Sequence, residues 1–300
     1  MTSRALFAGL CTLDLVQAVE RPPSANEKVT ALRQTVAAGG PAANAAVTFA
    51  HLGGAATLVS AVGRHPLAAG IRADLSERGV RLLDLTPDAA DPPAVSTIMV
   101  SRGGDRAVVS VNAAGLDVRP PPDLDELVAA SAVVHLDGHH PALALEAARL
   151  ARRRERLVLL DGGSWKPGTA GLLPHVDVAV VSADFRPPGA GGPEDVLARL
   201  RAAGVPWTAV TRGAAPVLWR GAGPVRALPV PEVAVVDTLG AGDVLHGALT
   251  FALCRALGGS GRARDLDEEA FASALEFAVP VAAASCGSFG TRAWLRRRAR

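Results

Sequence analysis

The chain has 300 residues, of which 49% are hydrophobic, 31 are basic and 29 are acidic, with a formal net charge of +2. A chain of this length and composition can bury a large core. Because its charges are spread along the sequence, it lacks the electrostatic footprint that binding to a nucleic-acid backbone requires, and nucleic acid is excluded as a partner. The dense basic run within residues 296–300 has no interleaved aromatic residues and is interpreted as a solvated tail.

Cysteine usage and hydropathy exclude two further classes of protein. The three cysteines, Cys11, Cys254 and Cys286, are far apart in apolar surroundings, which fits neither a disulfide framework nor a CxxC metal site. No apolar run approaches the roughly 18 residues that a transmembrane helix needs. Residues 1–10 lack the features of a signal peptide. We therefore expect a soluble protein of the reducing cytoplasm, with no membrane partner.

Short apolar runs rich in Val and Leu alternate with longer amphipathic segments along most of the chain. This alternation is typical of helices that cover both faces of a parallel sheet, so we predict an α/β fold with one domain over residues 1–300. The predicted elements are, in chain order, strand 5–11, helix 41–52, strand 56–62, helix 67–78, a loop at 120–125, strand 132–136, helix 141–153, strands 157–160 and 176–181, helix 193–203 and strand 207–211.

Two segments, at about residues 15–36 and 95–111, interrupt this alternation because they show no helical period. The second contains two β-like runs on either side of the turn sequence Arg102-Gly103-Gly104-Asp105. We predict that both segments form a small antiparallel sheet inserted into the α/β body. Such a sheet would serve as a lid over a pocket, as a dimerisation flap, or as both.

Beyond Arg220 the sequence predicts a short hairpin around residues 227–229, a long apolar helix from near Gly240, and a last helix over residues 266–285. The stretch between the hairpin and the first of these helices is the most informative one in the chain. It is interpreted as a strand end, a glycine-rich turn and a helix start: Val235-Val236-Asp237-Thr238-Leu239-Gly240-Ala241-Gly242-Asp243.

The start of a helix is a natural site for an anion. Its first backbone N–H groups have no partner within the helix, and small residues such as Gly240, Ala241 and Gly242 would let a phosphate group approach them. Asp243 would lie beside that phosphate, where it could accept a proton from an attacking hydroxyl group. A dinucleotide-binding loop is excluded because Leu245 stands where its third glycine is needed, and no Walker A sequence occurs. A helix cap alone is the remaining structural interpretation.

A second group of candidate residues lies near the N-terminus. Gly39 and Gly40 precede a predicted helix that is apolar on all sides except at Asn44. A buried amide needs a partner, which would be a ligand hydroxyl group or a neighbouring backbone group. Asp14 follows the first predicted strand, and open α/β sheets bind ligands at the carboxyl ends of their strands. A carboxylate there could hold two sugar hydroxyl groups.

Both groups of residues resemble the signatures of one family, the PfkB carbohydrate kinases. Residues 237–243 resemble its C-terminal signature, and residues 39–46 resemble its N-terminal signature. The resemblance extends from Ala5 to about Gly290. It implies a ribokinase-like three-layer α/β/α sandwich with a mostly parallel central sheet and a small β-sheet lid. It also implies that ATP and Mg²⁺ are used, together with a monovalent cation such as K⁺ in some members.

The resemblance assigns expected roles to individual residues. Asp243 is the expected catalytic base, and Gly240, Ala241 and Gly242 form the expected anion hole. The expected sugar contacts are Asp14, Asn26, Gly39, Gly40, Asn44 and the lid residue Arg106, although Asn26 also suits a turn and Arg106 an exposed strand. The expected nucleotide contacts are Thr211, Gly213, Asp237, Thr238 and Gly287. The Asn-x-x-Glu element that many members use for Mg²⁺ is not evident, and Asp184 is the expected substitute, acting through water.

The sequence therefore predicts ATP-dependent phosphorylation of a sugar hydroxyl group. Details of the two signatures resemble the ketohexokinase and sulfofructose-kinase branches, which implies a ketose acceptor and, with the lid, a homodimer. The alternatives are a nucleoside kinase on the same fold, which the absence of Tyr disfavours, and a non-catalytic sugar or nucleotide sensor. His246, one turn after Asp243, is interpreted as a packing residue rather than a proton relay.

Overall fold

The computed structural model describes residues 3–102, 106–116, 118–258 and 261–296. The predicted turn at residues 103–105 and most of the basic run at the C-terminus lie outside these ranges. The strands are β1 (Arg4–Ala8), β2 (Thr12–Val19), β3 (Arg33–Gly39), β4 (Ala55–Ser60), β5 (Val80–Asp84), β6 (Val95–Ser101), β7 (Arg106–Ser110), β8 (Val133–Leu136), β9 (Leu157–Gly162), β10 (Val178–Ser182), β11 (Trp207–Arg212), β12 (Ala215–Arg220) and β13 (Arg226–Leu228).

Of the eight α-helices in the described ranges, six begin at or near the predicted positions, whereas the short helices α3 and α5 were not predicted. Several helices start at a proline, which favours the first helical turn. Within the described ranges no helix is long and apolar enough to cross a membrane. The helices are α1 (Pro41–His51), α2 (Pro66–Glu77), α3 (Leu124–Ala129), α4 (Pro141–Arg153), α5 (Thr169–Leu172), α6 (Pro193–Ala202), α7 (Ala241–Ala256) and α8 (Glu268–Ser285).

A nine-stranded sheet with the order β13-β12-β11-β10-β9-β8-β1-β4-β5 forms the middle layer. The seven strands from β11 to β5 are parallel, and β12 and β13 add an antiparallel edge. The chain extends the sheet from β1 to one side through β4 and later to the other side through β8. Ligand sites in open α/β sheets lie at the carboxyl ends of the strands beside such a reversal. The fold therefore places a pocket next to the ends of β1 and β8.

Successive residues of the parallel strands point to opposite faces of the sheet, and both faces are buried. On β1, Phe7 packs into the cluster formed with α1, α2, α7 and α8, while Leu6 packs into the cluster formed with α3, α4 and α6. This burial on both faces explains why the strands are continuous Val- and Leu-rich runs without alternation. It also confirms the predicted three-layer arrangement.

The second sheet has four strands in the order β3-β2-β6-β7 and forms the lid. It is built from the two predicted insertions, although β2 already begins at Thr12 and β3 continues to Gly39. The prediction of a purely antiparallel sheet was wrong, because β2 and β6 pair in parallel. Both strands enter the lid from the α/β body in the same direction, and the connection between them passes through that body.

Other differences from the sequence-based prediction lie in short or exposed elements. The predicted strand 5–11 ends at Ala8, which places Asp14 within β2 rather than in a loop. Strand β5 was not predicted, and the predicted loop at 120–125 contains the start of α3. Val235 and Val236 do not end a strand. They are largely exposed, so their apolar character reflects something other than burial in the sheet.

Helices α1 and α7 cross in close contact because α7 carries a glycine at the crossing. A Cβ atom added at Gly247 would lie 2.4 Å from the carbonyl oxygen of Ala45 and 2.6 Å from Cβ of Thr48. Only a residue without a side chain allows the two backbones to approach so closely. Since α1 carries Asn44 and α7 carries Asp243, this contact sets the distance between the two signature motifs.

We predict that Gly247→Ala destabilises the protein by about 1–3 kcal/mol, because the backbone of α1 cannot move aside without cost. Chemical denaturation of the purified protein measures this change. The matched control is Gly171→Ala on α5, where an added Cβ meets nothing within 4 Å. That control should be neutral or slightly stabilising. Equal effects of the two substitutions would contradict the close α1–α7 contact.

Candidate active site

The N-terminus of α7 presents backbone amides toward open space. Gly240 precedes the helix with φ of 73°, a left-handed conformation that favours glycine. The first hydrogen bond within the helix is donated by Val244 N to Gly240 O, over 2.9 Å. The amides of Gly242 and Asp243 precede that bond, so the helix provides no acceptor for them. Nothing lies within 4 Å of a Cβ atom added at Gly242. This geometry suits an anion.

Asp243 lies in the same first turn of α7. Asn44 Nδ2 donates a hydrogen bond of 2.8 Å to its Oδ2 atom. The residue keeps part of its surface exposed, but removal of its carboxyl group from bulk water raises the pKa of Asp243 to about 7. The carboxylate of Asp161 adds to this increase in pKa, and the bond from Asn44 opposes it. A carboxyl group with this pKa can take up and release a proton near neutral pH.

Arg292 fixes the orientation of Asn44 from the opposite side. It donates 2.9 Å to Asn44 Oδ1, 3.0 Å to Asp74 Oδ2 and 2.7 Å to the carbonyl oxygen of Ala38. Because a guanidinium only donates, Asn44 must present its oxygen to Arg292 and its NH₂ group to Asp243. Arg292 was not predicted as a site residue, because it follows the C-terminal helix in a loop outside both signatures.

The acceptor end of the predicted site gathers around Asp14. Its side chain is buried, accepts 2.6 Å from Thr12 Oγ1, and has a pKa raised by burial. A Cβ atom at Gly39 would lie 2.0 Å from the Asp14 carboxyl group. A Cβ atom at Gly40, where φ is 90°, would lie 2.5 Å from Leu10 O. Glycine is therefore needed at both positions, because the backbone passes close to the Asp14 carboxyl group and to Leu10 O.

Asp137 and the two histidines after it were missed as site residues. Asp137 follows β8 and accepts bonds from the amides of Leu10 at 2.8 Å, Ala42 at 3.2 Å and His139 at 2.9 Å. It therefore ties the end of β1, the start of α1 and the start of α4 together. His140 is 2% exposed, and neither of its ring nitrogens has a hydrogen-bond partner. The position at the carboxyl end of β8 was the available signal.

Three of the five predicted nucleotide residues, Asp237, Thr238 and Gly287, lie at or beside the segment that precedes α7. Asp237 is buried and accepts 2.8 Å from Leu239 N and 2.9 Å from Gly290 N. Val236 N donates 2.8 Å to Cys286 O, which brings Gly287 beside the same segment. Thr211 ends β11, with its hydroxyl 3.4 Å from Val181 O, and Gly213 forms the turn into β12 with φ of 62°. Within the described ranges, Thr211 and Gly213 make no hydrogen bond to the segment before α7.

Three of the predicted residues have exposed side chains. Asn26 has φ of 62° in the loop between β2 and β3, which fits a turn residue. Arg106 on β7 donates 3.3 Å to Thr238 O and so joins the lid to the loop before α7. Asp184 follows β10, where its backbone N donates 3.0 Å to Ser182 Oγ. The described part of the chain contains no cluster of three or more residues that could hold a metal ion.

We predict that Arg292→Ala destabilises the protein by about 3 kcal/mol, because Asp74 and Asn44 would lose their buried donor. Arg292→Lys should recover only part of this loss, since an ammonium group cannot reach three acceptors in one plane. Urea denaturation provides the measurement. The control is Arg154→Ala, which removes an exposed ion pair with Asp125 and should cost less than about 1 kcal/mol. Similar losses for Arg292 and Arg154 would refute the role of Arg292.

The chain is similar along nearly its whole length to known sugar kinases. It is 26% identical to the ribokinase of Bacillus subtilis (strain 168) over 287 residues, covering 95% of this chain and 93% of that protein. It is 30% identical to the aminoimidazole riboside kinase of Salmonella typhimurium over 238 residues, covering 73% and 74%. The solved structure of ribokinase from Giardia lamblia has the same fold, with a TM-score of 0.83, 18% identity, and 98% and 97% coverage.

The sequence model of the pfkB family of carbohydrate kinases matches residues 3–297. This match spans both signatures, the lid strands, Asp137 and Arg292, and it agrees with the ribokinase-like arrangement of the sheet and lid. The chain therefore belongs to the PfkB family and is an ATP-dependent carbohydrate kinase.

Proposed function

We propose that the chain transfers the terminal phosphoryl group of ATP to a hydroxyl group of a sugar, with Asp243 as the base. The observation that carries this proposal is the position of the Asp243 carboxyl group, next to the open amides of Gly242 and Asp243 at the start of α7. An acid beside an anion site is the arrangement that phosphoryl transfer to an alcohol requires. Family membership supports the reaction class, and the geometry supports the roles of these residues.

In the proposed step the acceptor oxygen forms a bond to phosphorus while the bond to the ADP oxygen breaks. The hydroxyl proton passes to Asp243, and the amides at the start of α7 hold the charge on the transferring group. The transition state of phosphoryl transfer is loose, so the acceptor needs position more than strong activation. A carboxylate with a pKa of about 7 is sufficient for removal of the proton late in the step.

We propose that the main role of Asn44 is to position the base, Asp243, and that contact with the sugar is a secondary role. Both ends of its amide are occupied, by Asp243 and by Arg292. Asp14 accepts hydrogen bonds from the hydroxyl groups of Thr12 and Ser96, and a carboxylate has room for further donors, so it is the better acceptor for sugar hydroxyl groups.

The nucleotide would lie along the other side of the α7 N-terminus. Val235 and Val236 are 58% and 48% exposed beside Cys286, and they offer an apolar surface of the kind that an adenine ring requires. Mg²⁺ in kinases keeps most of its water and phosphate ligands and needs few protein ligands. Asp184, exposed at the carboxyl end of β10, fits such a role through water. The ion would neutralise charge on the ATP phosphates.

The acceptor is proposed at the level of a sugar or a sugar-bearing compound. The signature details that resemble ketohexokinase favour a ketose, whereas the similar proteins are named a ribokinase and an aminoimidazole riboside kinase. The name of the second protein supports a riboside as the alternative acceptor. Both acceptors present a primary hydroxyl group and neighbouring hydroxyls, which Asp14 could bind.

We also propose a homodimer that forms through the lid. The lid carries exposed apolar side chains on or next to β3 and β7, and a second copy of the chain would cover them. These side chains are Leu32, Val36, Val108, Val109 and Val111.

We predict that Asp243→Asn lowers kcat by roughly 10²- to 10⁴-fold and leaves ATP binding nearly unchanged. The reason is that the amide cannot accept the proton, while the backbone amides that hold phosphate remain. Steady-state assays and calorimetric titration with ATP measure the two quantities. Asp125→Asn, at an exposed site, is the control. A normal kcat for Asp243→Asn would remove Asp243 from the mechanism.

The same substitution should make the protein more stable at pH 8. The pKa of an unfolded aspartate is about 3.9. Burial raises that of folded Asp243 to about 7, so the folded state binds more protons between these values and stability falls as pH rises. The amide avoids this loss. Thermal denaturation should therefore give a higher Tm for Asp243→Asn at pH 8, with the difference vanishing near pH 4. A lower Tm at pH 8 would indicate a structural role for the carboxylate.

A panel of acceptors identifies the substrate class and separates the rival functions. We expect ADP release to rise at least 10-fold over the rate without acceptor for the correct compound, because phosphoryl transfer to water is limited in a closed site. The panel should contain ketoses, ribose and ribosides at equal concentration. Stimulation by ketoses alone supports the ketose preference, and stimulation by ribosides supports the alternative. Sugar binding by calorimetry with no ADP release from any compound would indicate a sensor.

A further inference from the structure

His246 makes more contacts than a packing residue needs. It lies one turn after Asp243 on α7 and is only 4% exposed. Its Nδ1 atom is 2.8 Å from Gly242 O and 3.4 Å from Oδ2 of Asp161, and its Nε2 atom is 3.0 Å from Val180 O. The ring therefore joins the first turn of α7 to two central strands, β9 and β10.

The partners of the ring decide how many protons it carries. A carbonyl oxygen accepts hydrogen bonds and never donates them, and both ring nitrogens face one. A neutral imidazole has one N–H group, so it would leave the lone pair of its other nitrogen against an oxygen. The doubly protonated ring satisfies Gly242 and Val180 together. The positive charge that results would need a counter-ion inside the protein.

Asp161 supplies that counter-ion. It is 7% exposed at the end of β9, and its Oδ2 atom, which faces His246, has no other hydrogen-bond partner. An isolated carboxylate at this depth would be costly, and a charge on the neighbouring ring offsets the cost. The lone oxygen of Asp161 and the two accepting carbonyls around His246 thus point to the same state of the pair.

We propose that His246 and Asp161 form a buried ion pair behind Asp243, with His246 as a positioning residue that holds the first turn of α7 against the sheet. The anion-binding amides belong to that turn, so the pair fixes their place relative to β9 and β10. The pair also places two opposite charges near the base. The ion pair itself does not depend on the proposed function, whereas its expected effect on the kinetics rests on that function.

Other ionisable groups surround the pair, and they lie on several neighbouring elements. His135 on β8 stacks edge-on against His246, with ring centroids 5.8 Å apart. Burial lowers the pKa of His135 to about 3, so it stays neutral and competes for no proton. The remaining groups that act on the pair are Asp137, His139, Lys166 and Asp243.

The two charges of the pair act on Asp243 in opposite senses. The carboxylate of Asp161 raises the pKa of Asp243, and the charge on His246 lowers it. Removing the charge of Asp161 should therefore let Asp243 lose its proton at lower pH. Removing the charge of His246 should have the opposite effect, so that Asp243 loses its proton only at higher pH. A pair that serves only to fill space would produce neither shift.

The first test observes the protons directly and needs no turnover. The chain contains seven histidines, and the ring signals lost in His246→Gln identify His246 in a ¹⁵N–¹H correlation spectrum. We expect both ring nitrogens of His246 to carry protons at pH 7, and one of them to lose its proton in Asp161→Asn. A wild-type ring with one bare nitrogen at pH 7 would overturn the ion pair, whether or not the protein is a kinase.

The second test uses the pH dependence of kcat/KM for the acceptor. Its acidic limb should shift by about one pH unit to lower pH in Asp161→Asn and to higher pH in His246→Gln, which keeps a donor for Val180 without the charge. The control is Asp177→Asn, a buried aspartate at the opposite end of β10 that should leave the limb in place. Shifts of both variants in one direction, or no shift, would overturn the proposal.

Discussion

The hydrogen bond between Asn44 and Asp243 is the contact on which the rest of the site depends. It joins α1, which follows the glycine pair, to α7, which begins at the anion site, across 199 positions of sequence. The bond exists because Gly247 lets the two helices approach and because Arg292 turns the amide of Asn44 toward α7. The proposed acceptor end and the proposed phosphate end of the site are thus placed by one shared pair of helices rather than by separate loops.

The same arrangement makes the ionised forms of several carboxyl groups at the site unfavourable. Asp14, Asp161 and Asp243 are carboxyl groups whose pKa values are raised by burial, which means that each is less stable as an anion in the folded protein than in water. Cationic partners offset part of this cost, since the charge of Arg292 acts on Asp14 and His246 lies beside Asp161. A base that removes a proton near neutral pH requires such an environment. The stability lost there is compensated by the two large apolar clusters on either side of the sheet.

The sequence predicted the long elements and the glycine motifs well, because each rests on local physics. Buried parallel strands are continuous apolar runs, prolines favour helix starts, and the glycines at positions 39, 40 and 240 meet steric needs that few other residues satisfy. Strand β5 and the parallel pairing of β2 with β6 depend on contacts between distant segments, so no local pattern showed them. Val235 and Val236 were misassigned because exposed valines in a loop have the same local pattern as the valines of a strand.

The site residues that the sequence missed share one property: each acts through another residue. Arg292 orients Asn44, and Asp137 ties three backbone segments together. Such residues carry no motif of their own, because their chemistry is defined only once the fold brings a partner within reach. Asp137 and Asp161 nevertheless end β8 and β9 beside the point where the strand order reverses. A charged residue at the end of a buried parallel strand has a desolvation cost that packing cannot repay, so such positions indicate function even where no signature marks them.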